Sequence, residues 1–389
     1  MAIDSGAERV EILNVRYSLL RRRIPEADRN RVIRNLVALR DQLDAEIPAK
    51  DAEDNLLLAT WNVRDLGKVN RRGFGERLAE TYFYIAEVLS RFDFVAVQEV
   101  NELEEWQRVT EVLGPDFGWI ATDVTDPAIG GNGERLTYLF DTRRVWFQNV
   151  AGEIVLPAKL LITENVEPEE GEADTETVRV EEKEIGKQFR RTPFTALFQA
   201  SWLKFEICTV HIYYGSESGS ELDQRIQEID RIANYFGSRA DSGLEDGRSL
   251  ILLGDFNIVG ADHETMKALL GSGFEVPEPL RLPTNIDRSK YYDQIAFRTR
   301  PGALAYLDSG SERRAGAFEI FERLFTEDQF GDYEDAARET PNGQRAAAKD
   351  ELEDYYLDWR TYQFSDHLPL WVRLQVNDSA EYLQGLLEG

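Results

Sequence analysis

Ser249-Leu250-Ile251-Leu252-Leu253-Gly254-Asp255-Phe256-Asn257 reads as a β-strand that ends in reactive side chains. Three consecutive aliphatics, Ile251, Leu252 and Leu253, bounded by Gly254, predict a strand buried on both faces. A strand of that kind running into Gly-Asp-x-Asn places a carboxylate and a carboxamide on the rim of a rigid sheet. There one can orient water or a metal ion and the other can donate to an oxyanion. An Asp and an Asn after a strand also make an ordinary Asx-turn, so the tetrapeptide gains meaning only from partners elsewhere in the chain.

The 389 residues are 42% hydrophobic, enough for a sizeable core. No apolar run approaches membrane-spanning length, and Met-Ala-Ile-Asp-Ser-Gly-Ala-Glu lacks the basic-then-apolar pattern of a signal peptide. The expectation is a cytoplasmic protein with no membrane partner. The single Cys208 excludes an internal disulfide. A formal charge of -27 repels polyanions, so nucleic-acid binding would need a local basic patch and a non-specific DNA coat is disfavoured.

Residues 1–50 differ from the rest, with 10 basic against 8 acidic residues. Val32, Leu36, Leu39 and Leu43 recur at helical spacing, and Pro25-Glu26 starts a helix after an earlier one ending near Arg23, which predicts an N-terminal helical hairpin. Residues 1–50 are therefore set apart as an extension, a candidate surface for a protein partner or self-association, and 51–389 as the main domain.

From Leu56 strands alternate with helices. Leu56–Trp61, Phe94–Gln98, Trp119–Thr122, Arg135–Phe140, Val145–Asn149, Thr195–Gln199, Leu203–Ile212, Gln294–Phe297 and Leu368–Gln375 read as strands, and Glu76–Ser90, Leu103–Leu113 and Glu221–Tyr235 as helices. Adjacent strand pairs between helices predict an α/β chain with two mixed sheets, packed together with helices outside. Residues 161–187 read as an acidic solvated loop; between 164 and 184 there are 10 acids and 2 bases. Residues 300–360 read as a charged insertion with helices at Phe318–Phe325 and Ala346–Trp359.

Each strand end carries a polar residue: Asn62, Glu99, His211, Asp255 with Asn257, Asp293, and Asp366 with His367. Any one alone has an ordinary explanation as a turn residue, a cap or a satisfied core histidine. His263 has no such partner and reads as structural.

The ordered set Thr60-Trp61-Asn62, Gln98-Glu99-Val100, Arg191-Thr192-Pro193-Phe194, Thr209-Val210-His211, Gly254-Asp255-Phe256-Asn257, Tyr292-Asp293-Gln294-Ile295 and Ser365-Asp366-His367-Leu368-Pro369 resembles the motifs of the endonuclease/exonuclease/phosphatase superfamily. The resemblance runs from about Leu56 to Gln375. It implies a four-layer α+β sandwich, two mixed sheets face to face with helices on both outer faces. It also implies metal-dependent phosphoester hydrolysis with Mg²⁺ or Mn²⁺, oxygen donors suiting such hard cations. By similarity, Asn62, Glu99 and Asp366 form the metal site, Asp255 and Asn257 orient the nucleophile and steady phosphate oxygens, Asp293 orients His367, and Arg191 clamps a phosphate oxygen.

His211, with Glu134 of Gly-Glu-Arg-Leu-Thr-Tyr as its orienting partner, resembles the two-histidine branch that includes deoxyribonuclease I. The resulting expectation is an endonuclease acting on DNA. Arg71, Arg72, Arg77, Arg190, Arg281, Arg288 and Lys290 are candidates for its basic rim. Two alternatives stay open: a phosphatase or phospholipase-type phosphoesterase acting on a small or lipid substrate, and a non-catalytic scaffold.

Overall fold

The computed structural model describes residues 15–50, 55–68, 72–124, 133–166, 183–239, 248–299, 314–346, 348–377 and 379–388. The strands are β1 (Asn55–Leu66), β2 (Phe94–Val100), β3 (Phe117–Ala121), β4 (Arg135–Asp141), β5 (Trp146–Glu153), β6 (Ile162–Val166) and β7 (Lys183–Lys187). They continue with β8 (Phe194–Ala200), β9 (Leu203–His211), β10 (Ser249–Asp255), β11 (Asp293–Arg298), β12 (Ala315–Ala317) and β13 (Leu370–Gln375). One sheet has the order β12-β13-β1-β2-β4-β3 and the other β11-β10-β9-β8-β5. Each contains one parallel pair, β1 with β2 and β9 with β10, so both are mixed as expected.

Alternation along β1 explains the layers. Leu57, Ala59, Trp61 and Val63 join a core cluster shared with the helices Glu26–Glu46, Thr81–Ser90, Leu103–Leu113 and Lys349–Gln363. Leu56 and Leu58 point the other way, into a cluster built with β8, β9 and β10. Phe94 of β2 meets Phe198 edge-on at 4.8 Å and Phe205 at 5.7 Å between the sheets. The helices Gly219–Ser238 and Glu264–Leu270 complete this second cluster from the outer side of β9 and β10. The predicted strand of the opening stretch is β10, with all seven residues buried.

Several elements differ from the expectation. Phe318–Phe325 is not helical: its aromatics are buried on an irregular knuckle where Phe325, at φ +51°, packs against Tyr84 and Trp359. Burial at every third or fourth position imitates a helix there. The helix lies later, at Phe330–Arg338, behind a capping box formed by Thr326 and Gln329. The helix expected from Glu76 begins at Thr81, because the Leu78 N–H donates to Gln363. Within 161–187, the two ends pair as the β6–β7 ribbon, and 167–182 lie outside the described residues, as do 300–313.

Pro25 caps the helix Glu26–Glu46, and Val32, Leu36, Leu39 and Leu43 are buried as their spacing predicts. The other arm of the expected hairpin is a single turn, Leu20–Arg23, among the described residues. Asn35 fastens the long helix by donating to Tyr333 (3.0 Å) and Tyr84 (3.2 Å), and Arg31 pairs with Glu80 at 2.7 Å. No helix of the described residues is long and apolar enough to cross a membrane.

Gly254 sits at φ +128°, where an added Cβ would lie 2.2 Å from the Val210 carbonyl oxygen of β9. Both the backbone conformation and the close strand approach require glycine. Gly254→Ala should lower stability by at least about 3 kcal/mol in chemical denaturation. An unchanged midpoint would show that this approach is not tight.

Candidate active site

Strand register brings the separated polar residues together. The β9–β10 ladder aligns His211 with Asp255, and the β10–β11 ladder aligns Asp255 with Asp293. Aligned residues share a face, so three titratable side chains form a row across one sheet. On the other sheet Asn62 aligns with Gln98, each continuing the inward parity of its strand. Gln98 ties the sheets: its Nε2 donates to Thr60 (3.1 Å) and, across the gap, to Thr209 (3.0 Å).

Parity alone would send Glu99 outward with Val95 and Val97. Instead Glu99 has φ +63°, and the pairing is irregular between Asn62 and Leu66 and between Val97 and Val100. This bulge re-aims the carboxylate into the site. Its Oε2 accepts the Asp65 N–H at 2.7 Å, and its Oε1 accepts from Asn62 Nδ2 at 3.0 Å.

Asn62 spans the seam, because the same Nδ2 also donates to Asp255 Oδ2 at 3.0 Å. Its Oδ1 accepts the Arg64 N–H at 2.9 Å. Asp255 Oδ2 lies 3.5 Å from His211 Nε2 and 3.7 Å from His367 Nε2, so one carboxylate oxygen sits between two imidazoles. Asp255 Oδ1 accepts the Asn257 N–H at 3.0 Å, with Asn257 at φ +52° and its amide donating to the Ile212 carbonyl at 2.8 Å.

Each histidine is held from behind. His367 Nδ1 is 2.8 Å from Asp293 Oδ2, and His211 Nδ1 is 2.5 Å from Glu134 Oε1. Arg191 Nε stands 2.7 Å from the same Glu134 oxygen, giving a chain from Arg191 through Glu134 to His211. The Arg191 Nη1 is buried without a hydrogen-bond partner. Asp366 is half-exposed and pairs with Arg64 at 3.3 Å.

Burial opposes charge on His367, yet Asp293 and Asp255 outweigh it and hold its pKa well above the usual imidazole range. For His211, burial and Arg191 press downward, and Glu134 and Asp255 carry the net shift upward. Burial pushes the Glu99 carboxyl up, and the neighbouring carboxylates of Glu134, Asp65 and Asp366 push in the same direction. Asp255 is lowered despite its burial, because both imidazoles face it. A group of buried carboxylates that outnumbers its cations, Glu99 among them, fits a hard divalent ion, although Asn62 presents its Nδ2 and not its oxygen to the site. Glu99, Glu134 and His211, and separately Asp255, Asp293 and His367, also present ligand atoms close together.

Nine of the ten residues expected from the sequence are joined in this network, and Asp366 stands beside it, paired with Arg64. His263 is the N-cap of the helix Glu264–Leu270, accepting from Thr265 N, as its structural reading implied. Among the described residues, several members of the expected basic rim are engaged elsewhere. Arg77 is buried and donates to the Val63 and Arg64 carbonyls. Arg288 pairs with Glu319, Lys290 with Glu217, and Arg190 lies 3.8 Å over the Tyr213 ring. Arg71 lies outside the described residues.

Three supporting residues were not singled out from the sequence. Ser365 donates to the Asn62 carbonyl at 2.6 Å and accepts from His367 N at 2.9 Å. Tyr292 lies against the His367 ring at 5.5 Å. Arg225, fully buried, donates to the carbonyls of Asn257, Tyr214 and Ser216. Ser365 and Tyr292 belong to the quoted motifs but were given no role there, whereas nothing in its helix marked Arg225.

No family model matches the chain. A deoxyribonuclease from Thioalkalivibrio sp. (strain K90mix) is 28% identical over 206 residues, taking in 52% of this chain and 46% of that relative. The chain therefore spans less than half the length of this curated relative. Among solved structures, an endonuclease/exonuclease/phosphatase family protein from Bacteroides thetaiotaomicron superposes on 83% of this chain and 98% of its own, with a TM-score of 0.51 and 17% identity. A mannosyl-6-phosphatase from Bacteroides thetaiotaomicron VPI-5482 covers 82% of this chain and 99% of its own, with a TM-score of 0.50 and 16% identity. Two mixed sheets enclosed by helices, in a chain that superposes on nearly the whole of these proteins, show that it has the fold of the endonuclease/exonuclease/phosphatase superfamily.

Proposed function

We propose that the chain is a divalent-metal-dependent phosphodiester hydrolase, a deoxyribonuclease-I-like endonuclease acting on DNA through two histidine–carboxylate pairs. The observation that carries this reading is the pair of imidazole Nε2 atoms facing Asp255 Oδ2 from two sides, at 3.5 and 3.7 Å, each with its Nδ1 against a carboxylate. The deoxyribonuclease relative supports DNA as the substrate.

In-line displacement at phosphorus needs a base for the attacking water and an acid for the leaving oxygen. Glu134 and Asp293 fix the two imidazoles so that both Nε2 atoms are presented to the site, one to take a proton and the other to deliver one. Asp255 orients the water between them and favours the protonated imidazole. Arg191 keeps Glu134 in place, and its unpartnered Nη1 is the group to meet a phosphate oxygen. Glu99 and Asp366, with Asn62 once its amide turns its oxygen inward, would hold Mg²⁺ or Mn²⁺. When bound, the ion supplies positive charge to the phosphate oxygens.

A second reading, a phosphatase or phospholipase-type esterase on a small or lipid substrate, is favoured by one observation. Of the residues expected to form a DNA-binding rim, Arg77, Arg190, Arg281, Arg288 and Lys290 are engaged with acids, carbonyls or a tyrosine ring, on a chain of formal charge -27.

Incubation with Mg²⁺ or Mn²⁺ and supercoiled plasmid, single-stranded DNA, RNA, inositol phosphates and sphingomyelin separates the readings. Plasmid nicking is expected, and turnover confined to the small or lipid substrates would replace the first reading with the second. His211→Ala and His367→Ala should each lower the rate by about 10² to 10⁴. Glu134→Gln combined with His211→Ala should be no slower than His211→Ala alone, since the carboxylate acts through that imidazole. Additive losses would place Glu134 on the substrate instead. Millimolar Mg²⁺ should raise the thermal midpoint of the wild type and not of Glu99→Ala. An equal rise in both would remove Glu99 from the ligand set.

A further inference from the structure

Two consecutive tyrosines follow His211 and part company. Tyr213 turns under Arg190, its hydroxyl donating to Glu221 at 2.9 Å. Tyr214 turns toward the His367 side and stays 40% exposed. Its ring meets Tyr292 edge-on at 6.1 Å and 88°, and Tyr292 in turn lies against His367 at 5.5 Å and 34°. The aromatic surface thus runs without a break from the catalytic imidazole to solvent.

Tyr214 is anchored at its ring and at its hydroxyl. The Arg225 guanidinium lies 4.6 Å from its ring centroid, its hydroxyl donates to Glu217 at 3.4 Å, and Glu217 is paired with Lys290. Arg225 also takes the Tyr214 and Ser216 carbonyls, fixing the backbone on which the ring stands. An exposed aromatic normally loses rotamer freedom when a ligand packs on it. Here that loss has already been taken in folding, which favours stacking of a flat ring.

We propose that Tyr214 and Tyr292 form a stacking subsite for a nucleobase next to the scissile phosphate, with Tyr214 as the residue that makes the protein favour base-bearing strands. The subsite rests on the phosphodiesterase reading for its place beside the cleaved bond. It also answers the acidic surface, since base stacking supplies affinity that does not depend on a basic rim. A competing role for Tyr214, shielding the Arg225 guanidinium, would affect the fold and not the choice of ligand.

The test is equilibrium binding, by fluorescence anisotropy in EDTA, of a labelled single-stranded oligodeoxythymidylate and of an abasic oligonucleotide of the same length. The wild type should bind the base-bearing strand about 5- to 150-fold more tightly, the range that stacking of one base supplies. Tyr214→Ala should erase that preference in a protein that circular dichroism shows to be folded at the assay temperature, and Tyr214→Phe should keep it. Absence of preference in the wild type, binding of neither strand, a preference that survives Tyr214→Ala, or an equal loss on both strands would each overturn the subsite. Preferential binding without cleavage on adding Mg²⁺ or Mn²⁺ would sustain the stacking surface and overturn the hydrolase reading instead.

Discussion

One carboxylate oxygen organises this molecule: Asp255 Oδ2, at the end of a fully buried strand, facing two imidazoles and the amide of Asn62. Asn62 comes from one sheet and Asp255 from the other, so the hydrogen bond between them closes the rim of the sandwich. A buried carboxylate is costly unless several donors face it. The donors here arrive from β1, from the end of β9 and from the segment before β13, which means that the site is complete only when both sheets are in register. Gln98, bridging Thr60 and Thr209 one layer below, holds the same seam with neutral groups.

The two histidines show how the fold differentiates similar side chains. His367 is set by Asp293, which ends the row of His211, Asp255 and Asp293, and by the backbone of the segment Ser365–His367, locked to Asn62 through Ser365. His211 answers to Glu134, which answers to Arg191, so a cation stands behind that pair and tempers the rise in the imidazole pKa.

Much of this was legible in the sequence because the chemistry sits at strand ends. Apolar runs marked the strands, His211 and Asp255 end theirs, Asp293 begins its own and Asn62 lies within β1; it was the ordered motifs around them, through their resemblance to the superfamily, that grouped these four residues in one site. Glu99 was legible as a motif residue, but not the bulge that turns it inward, since a positive φ at a glutamate has no compositional signal. Arg225 was invisible because its partners are backbone carbonyls from two loops. The knuckle at Phe318–Phe325 misled for a different reason: buried aromatics on an irregular chain produced a helical period without a helix. Of the expected basic rim, Arg288 and Lys290 are taken up by acids, Arg77 by carbonyls and Arg190 by a tyrosine ring, partners that sequence proximity to a motif does not report.

A structure of the protein soaked with Mn²⁺ and a non-hydrolysable phosphodiester addresses the central claim most directly. The account predicts an anomalous manganese peak against the Glu99 carboxylate, and a phosphate group within hydrogen-bond reach of both the His211 and His367 Nε2 atoms. Manganese remote from Glu99, or a phosphate that meets neither imidazole, would contradict it.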